Sequence, residues 1–195
     1  MAVDSVVFVT GNLNKLAVAR QHLAPFGIEV EHVVLDLDEI QAPTVREVAL
    51  HKARQAFSAL RRPLIVEDSG FYIDELNFPG PFVKHVVAMM GVERLARVAD
   101  VTRDRRCHFD SVLVHVDEAG QETVFEDRAS TGTLAATPVG QPQPGSWSAI
   151  WHIYIPDGYD RPASALTPEE NERRFEQWGT RSVYRQVGEA LARSR

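Results

Sequence analysis

An α/β fold, built on a sheet with crossover helices, is predicted from three observations. Up to Val66 the chain alternates strand, helix, strand, helix, strand. Its strand candidates are compact apolar runs closed by turn residues. Between them, apolar positions recur at helical spacing.

Val6 to Val9 is the first such run, and it ends at the turn cluster Thr10-Gly11-Asn12. A helix follows with Leu16, Ala19 and Leu23 on one face, closed by Pro25 and Gly27. Ile28 to Leu35 reads as a strand. Thr44-Val45-Arg46-Glu47 has capping-box spacing, and Val48, Ala49, Ala53, Ala56, Phe57 and Leu60 continue a helical stripe. Pro63 stops that helix before the strand Leu64-Ile65-Val66. Pro81 opens another helix carrying Val83, Val86, Val87 and Met90. It breaks at Gly91, and a short helix over Glu93 to Ala99 follows. Alternation from Cys107 to Val116, the turn Asp117-Glu118-Ala119-Gly120 and a strand around Thr123 to Arg128 make a hairpin. Thr131 to Ala135 extends that strand or forms a third. Thr137 to Ser146 holds three prolines and two glycines and reads as a loop. Trp147 to Ile155 is strand-like, and Pro156-Asp157-Gly158 is a turn. Thr167 starts a helix, with another over Ser182 to Ala192. The middle helices and the hairpin form a smaller lobe beside the outer α/β part.

The 195 residues fit one domain, in one or two lobes. A formal net charge of -6 argues against a nucleic-acid polymer as partner, because backbone binding draws on excess Lys and Arg. It leaves room for a small anionic substrate. Cys107 is the only cysteine, which rules out an intrachain disulfide and a cysteine-based zinc site and fits a cytoplasmic protein. No apolar run approaches the ~18–20 residues that would cross a bilayer, so no membrane partner is expected.

Four separated pieces offer what a magnesium-bound phosphate chain needs. Thr10-Gly11-Asn12 followed by a helix places amide groups at a helix N-terminus. Gly11 lets the backbone approach closely, and Lys15 reaches from the first turn. The same residues also read as an Asn-capped helix with a solvated lysine. Glu47 either completes the capping box with Thr44 or holds a divalent cation. Glu67-Asp68, followed by Ser69-Gly70, stands where α/β sheets gather ligands, or else forms a polar turn. Adjacent strand residues point to opposite sides, which gives the two carboxylates different tasks: one for Mg²⁺, one for a proton from water. Pro79-Gly80-Pro81 sets the direction of the next helix, which carries Lys84.

Taken in order, these pieces resemble the inosine triphosphate pyrophosphatase (HAM1-like) family, with this chain as a divergent member. The resemblance rests on Phe8-Val9-Thr10-Gly11-Asn12 with Lys15, Glu47 with Lys52-Ala53, Val66-Glu67-Asp68-Ser69-Gly70, and Phe78-Pro79-Gly80-Pro81-Phe82 with Lys84. Pro156-Asp157-Gly158-Tyr159 and Leu166-Thr167-Pro168-Glu169-Glu170 extend it over essentially the whole chain. It implies an elongated, two-lobed mixed sheet flanked by helices, with the active-site cleft between the lobes, in a homodimer. The implied reaction is Mg²⁺-dependent hydrolysis of a non-standard nucleoside triphosphate to the monophosphate and pyrophosphate. By the same resemblance Asp68, Glu67 and Lys15 are catalytic, and Glu47 and Asp68 hold the metal. Thr10, Gly11, Asn12, Lys15, Lys52, Ser69, Gly70, Lys84, Trp147 and Arg181 contact the substrate.

The chain departs from the family at the base end. Where members carry Phe-Gly-Tyr/Trp-Asp-Pro, it reads Trp147-Ser148-Ala149-Ile150-Trp151. Where they carry a lysine and a histidine on a late helix, it has Asn171-Glu172 and then Arg173 to Gln177. Arg181 replaces the family arginine if that helix is longer. Trp147 either stacks on a base or, like Trp151 and Tyr154, packs in the core. Three readings follow: a pyrophosphohydrolase with altered base preference, a weak or inactive homologue that binds a nucleotide, and a phosphohydrolase acting on another phosphate ester.

Overall fold

The computed structural model describes residues 5–140 and 148–193. β1 (Ser5–Val9), α1 (Leu13–Leu23), β2 (Glu29–Val33), α2 (Val45–Leu60) and β3 (Leu64–Ile73) realise the expected alternation. β1 pairs in parallel with both β2 and β3, as helical crossovers require. Then come β4 (Phe78–Gly80), α3 (Val83–Val98), β5 (Arg106–Val116), β6 (Glu122–Leu134), β7 (Tyr154–Pro156), α4 (Pro168–Gly179) and α5 (Val183–Arg193). Hydrogen bonding orders the strands β2-β1-β3-β5-β6-β7, with β4 on β3. The β3–β4 and β6–β7 pairs are antiparallel, so the sheet is mixed.

The chain divides into two compact units. The first comprises Met1–Ser69, Ser111–Asp127 and Gly179–Arg195, and so includes the hairpin tip; the second comprises Gly70–Asp110 and Arg128–Trp178. In the first, Val6 to Val9 of β1 and Leu64 to Val66 of β3 are buried under Leu16, Ala19 and Leu23 of α1 and Ala49, Ala53 and Ala56 of α2. α5 packs on α1, and its Val187 and Leu191 are buried. The approach is close at Gly188, where a Cβ would stand 2.4 Å from a ring carbon of Phe26.

The second unit has its own core, with Phe71, Ile73, Leu95, Cys107, Ile150 and Tyr154 fully or almost fully buried. α3 is interrupted at Gly91, whose φ of 75° and ψ of 161° are not helical, as the sequence led us to expect. Arg105 closes the end of that helix by donating to the Ala96, Leu134 and Ala135 carbonyls.

Four expectations need correction. β3 does not end at Val66 but continues through Glu67-Asp68-Ser69-Gly70 to Ile73, so the acidic motif is neither a strand end nor a turn. Its carboxylates find cationic partners inside the fold, so the backbone has no need to turn toward water. Residues 149–152 form a 3-10 turn and only Tyr154–Pro156 is strand. The apolar residues of that stretch bury from a turn as effectively as from a strand. The helix after the Pro-Gly-Pro turn starts at Val83, because Phe78–Gly80 is spent pairing with β3. α4 stops at Gly179, so Arg181 stands in the connection to α5 and not on a longer helix. The loop expected over 137–146 is described only to residue 140, and Trp147 lies outside the described residues.

A polar cluster in the second unit sets a pH dependence. His108, 7% exposed in its side chain, places Nδ1 2.7 Å from Asp74 Oδ1 and Nε2 3.6 Å from Asp110 Oδ1, and the Tyr72 ring stacks on it. Burial alone would lower the imidazole pKa, but the Asp110 and Asp74 carboxylates outweigh it and the net shift is upward. Burial acts on Asp110 in the opposite sense; His108 and Arg128 outweigh it and bring that carboxyl down to about 2. The folded state therefore holds the His108 proton more tightly than the unfolded chain does. This contribution is whole below the ordinary value of 6.5 and is lost as pH rises through the higher folded value. Thermal melts of His108→Gln should fall furthest short of the parent at about pH 5–6, and the gap should narrow as the solution becomes alkaline.

Candidate functional site

β1 and β3 run in parallel register, Val7 opposite Leu64 and Phe8 opposite Ile65. The residues that follow, Thr10 to Lys15 and Glu67 to Ser69, are thereby brought to the same end of the first unit's strands, where α/β sheets place ligands.

Lys15 is the centre of this group. Its Nζ lies 2.8 Å from Glu67 Oε2, 3.5 Å from the Glu67 carbonyl oxygen and 4.0 Å from Asp68 Oδ1. Burial pulls the ammonium pKa down, but the Glu67 and Asp68 carboxylates more than reverse this and hold it above its ordinary value. Lys52, from α2, sits 3.3 Å from Asp68 Oδ2 and 3.0 Å from Glu39 Oε1. The Ser69 amide donates to Asp68 Oδ1 at 2.8 Å. Two ammonium groups thus meet three carboxylates, and Glu67 is only 6% exposed.

The turn before α1 is internally bonded. Asn12 Oδ1 accepts from the Asn14 and Lys15 amides, and the Asn12 amide donates to Thr10 Oγ1. The Asn12 cap is therefore realised, though Lys15 is ion-paired and not the solvated lysine that reading supposed, and three of the amides that seemed open to an anion are already paired. Gly11 differs, since a Cβ there would meet nothing within 4 Å. The backbone can be approached from that side.

Among the described residues Glu47 bonds only within its capping box. Its amide donates to Thr44 Oγ1, and its Oε2 accepts from the same hydroxyl at 2.7 Å. Gly70 is buried in β3 and belongs to the second unit, as does the exposed Lys84 near the start of α3. Arg181 has an exposed side chain, and its carbonyl accepts from Gln186 Nε2. Ile150 and Trp151 are core residues, at 0% and 8% exposure. The Arg174 guanidinium lies 4.5 Å over the Trp151 ring.

Two residues of the first unit's site carry no local sequence signal. Glu39 lies in an irregular stretch, thirteen positions from the lysine it binds. Tyr184 donates to Glu67 Oε2 across 117 positions, and burial, reinforced by Glu67, drives its phenol pKa well above the usual value.

No group of three or more His, Cys, Asp or Glu side chains suited to a metal occurs among the described residues. Mg²⁺ is ordinarily held by one or two carboxylates and completed by substrate phosphates and water. The hard oxygens of Asp68, with Glu47 as the second candidate, are the donors this chain would offer.

Comparison with known proteins gives a consistent picture. The Ham1 family model matches residues 6–177. A dITP/XTP pyrophosphatase of Methanopyrus kandleri is 34% identical over 188 residues, covering 91% of this chain and 97% of the relative. One from Thermococcus kodakarensis is 32% identical over 169 residues, covering 86% and 88%. Among solved structures, a nucleoside-triphosphatase / dITP/XTP pyrophosphatase from Mycobacterium abscessus superposes with a TM-score of 0.70 at 26% identity, covering 89% of this chain and 94% of that one.

Proposed function

Since the chain belongs to the Ham1 family, we propose that it hydrolyses a non-standard nucleoside triphosphate to the monophosphate and pyrophosphate, with Mg²⁺. The observation that carries the reading is the pairing of Lys15 with Glu67 and of Lys52 with Asp68. Phosphate oxygens are stronger acceptors for an ammonium than solvent is, and they compete with these carboxylates for both lysines. Movement of Lys52 onto a phosphate releases an Asp68 oxygen that can accept the proton of the attacking water. That water adds to the α-phosphorus, the bond to the bridging oxygen breaks, and pyrophosphate leaves. Lysine charge near the leaving group stabilises it as negative charge develops. Bound Mg²⁺, held by Asp68 and Glu47, would neutralise phosphate charge in the same transition state. The relatives' names put dITP and XTP first among substrates. Burial of Ile150 and Trp151 in the core supports a base contact different from the family's usual aromatic and aspartate pair.

The formal charge of -6 supports a small anionic substrate over a nucleic-acid polymer. No helix of the described residues is long and apolar enough to cross a membrane. A homodimer, drawn from the family resemblance, and a cytoplasmic location, drawn from the single cysteine, complete the proposal. The test is incubation of the full chain with Mg²⁺ and a panel comprising dITP, XTP, ITP and the four standard nucleotides, assaying pyrophosphate and orthophosphate separately. Pyrophosphate without orthophosphate is expected. Orthophosphate alone, or no turnover of any member, overturns the proposal.

A further inference from the structure

Glu67 receives a second donor from the far end of the chain. The Tyr184 hydroxyl lies 3.3 Å from Glu67 Oε2, the oxygen that also faces Lys15 Nζ at 2.8 Å. Tyr184 is 3% exposed, and its ring is fixed by an edge contact with Phe8 at 6.1 Å and by the His22 ring at 6.3 Å. Both neighbours belong to the elements that carry the site: Phe8 to β1, two residues before Thr10, and His22 to α1, which begins with the Lys15 turn. Ring and hydroxyl are therefore placed by the same packing that places Lys15.

Two donors on one carboxylate oxygen have a chemical effect. A lone lysine can follow a carboxylate through many rotamers, because its ammonium is a point charge on a flexible stem. A phenol in a packed slot cannot. Among the described residues, no donor is bonded to Glu67 Oε1. The carboxylate is held by Oε2, and Oε1 has no partner among the described residues.

We propose that Tyr184 is a positioning residue for the reaction, fixing Glu67 through Oε2 so that Lys15 stays directed by the carboxylate and Oε1 is kept as an acceptor for the reacting water. This rests on the pyrophosphohydrolase reading above. Tyr184→Phe keeps the ring and removes only the donor, so the fold is retained while the carboxylate gains rotational freedom.

The experiment is a double-mutant cycle on pyrophosphate release from the best panel nucleotide, using the parent, Tyr184→Phe, Glu67→Gln and the double variant. Tyr184→Phe should lower kcat/KM about tenfold, the usual worth of a hydrogen bond to a charged group. In the Glu67→Gln background the same change should cost less than about twofold, because the carboxylate it positions is gone. A merely structural tyrosine would cost the same factor in both backgrounds, and that result overturns the inference. So does a Tyr184→Phe variant within twofold of an active parent. An inactive parent overturns the pyrophosphohydrolase reading and this inference together. If Glu67→Gln turnover is too slow to read, the cycle is repeated on unfolding free energy, where zero coupling between positions 67 and 184 overturns the contact itself.

Discussion

Asp68→Asn lowers pyrophosphate release by about 10²–10⁴-fold, the range expected when a positioned proton acceptor is lost. The substitution preserves shape, and Asn can still accept the Ser69 amide through its carbonyl oxygen. Lys52 keeps Glu39 as a partner at 3.0 Å, so no cation is stranded. What disappears is the negative charge that would accept a proton and that would meet Mg²⁺. The loss should therefore lie in kcat, with raised Mg²⁺ recovering only part of it. Steady-state pyrophosphate release across a Mg²⁺ titration reads both effects. A loss under tenfold would move the proton acceptor elsewhere, and Glu67→Gln in the same assay would show whether Glu67 takes the role.

Lys15→Met is expected to destabilise the first unit strongly. Met has nearly the length of Lys, so packing survives, but Glu67 is left as a carboxylate with 4% side-chain exposure and no cation at 2.8 Å. Breaking a buried pair by removing one partner costs about 3–5 kcal/mol. For a chain of this size each kcal/mol is worth about 2–4 °C, so the melting temperature should fall by about 6–20 °C. Adding Glu67→Gln to Lys15→Met removes the stranded charge and should restore much of the loss. A chemical-denaturation cycle over the four proteins measures the coupling directly. A Lys15→Met loss below about 1 kcal/mol would mean that Glu67 takes up a proton at little cost.

The sequence showed much of the fold because the first half is locally consistent. Apolar runs, a capping Asn12, the Thr44–Glu47 box and the Gly91 break each act within a few residues of where they stand. That Lys15, Glu67 and Asp68 lie together was also legible, since parallel pairing of β1 and β3 brings their ends together, whereas Lys52 was reached only through the family resemblance. The run from Trp147 to Ile155 misled because burial does not distinguish a strand from a 3-10 turn when most side chains are apolar. Ile150 and Ile153 reach the second core from the 3-10 turn and its cap, and Tyr154 from the short strand β7. Tyr184 was invisible for a different reason. Its pattern reads as the buried face of an amphipathic helix, and only folding shows that the hydroxyl meets a carboxylate 117 positions away.

The one thiol of the chain lies at a useful place. Cys107 sits on β5 within the second core, wholly without solvent exposure, and burial pushes its thiol pKa up. Thiolate is the reactive form, so alkylation must wait for a local opening that both exposes and ionises the group. A maleimide or iodoacetamide added to the native protein would thus mark one position only, at a pace set by how often that core breathes. Nature has supplied this chain with a single-site clock for one of its two units.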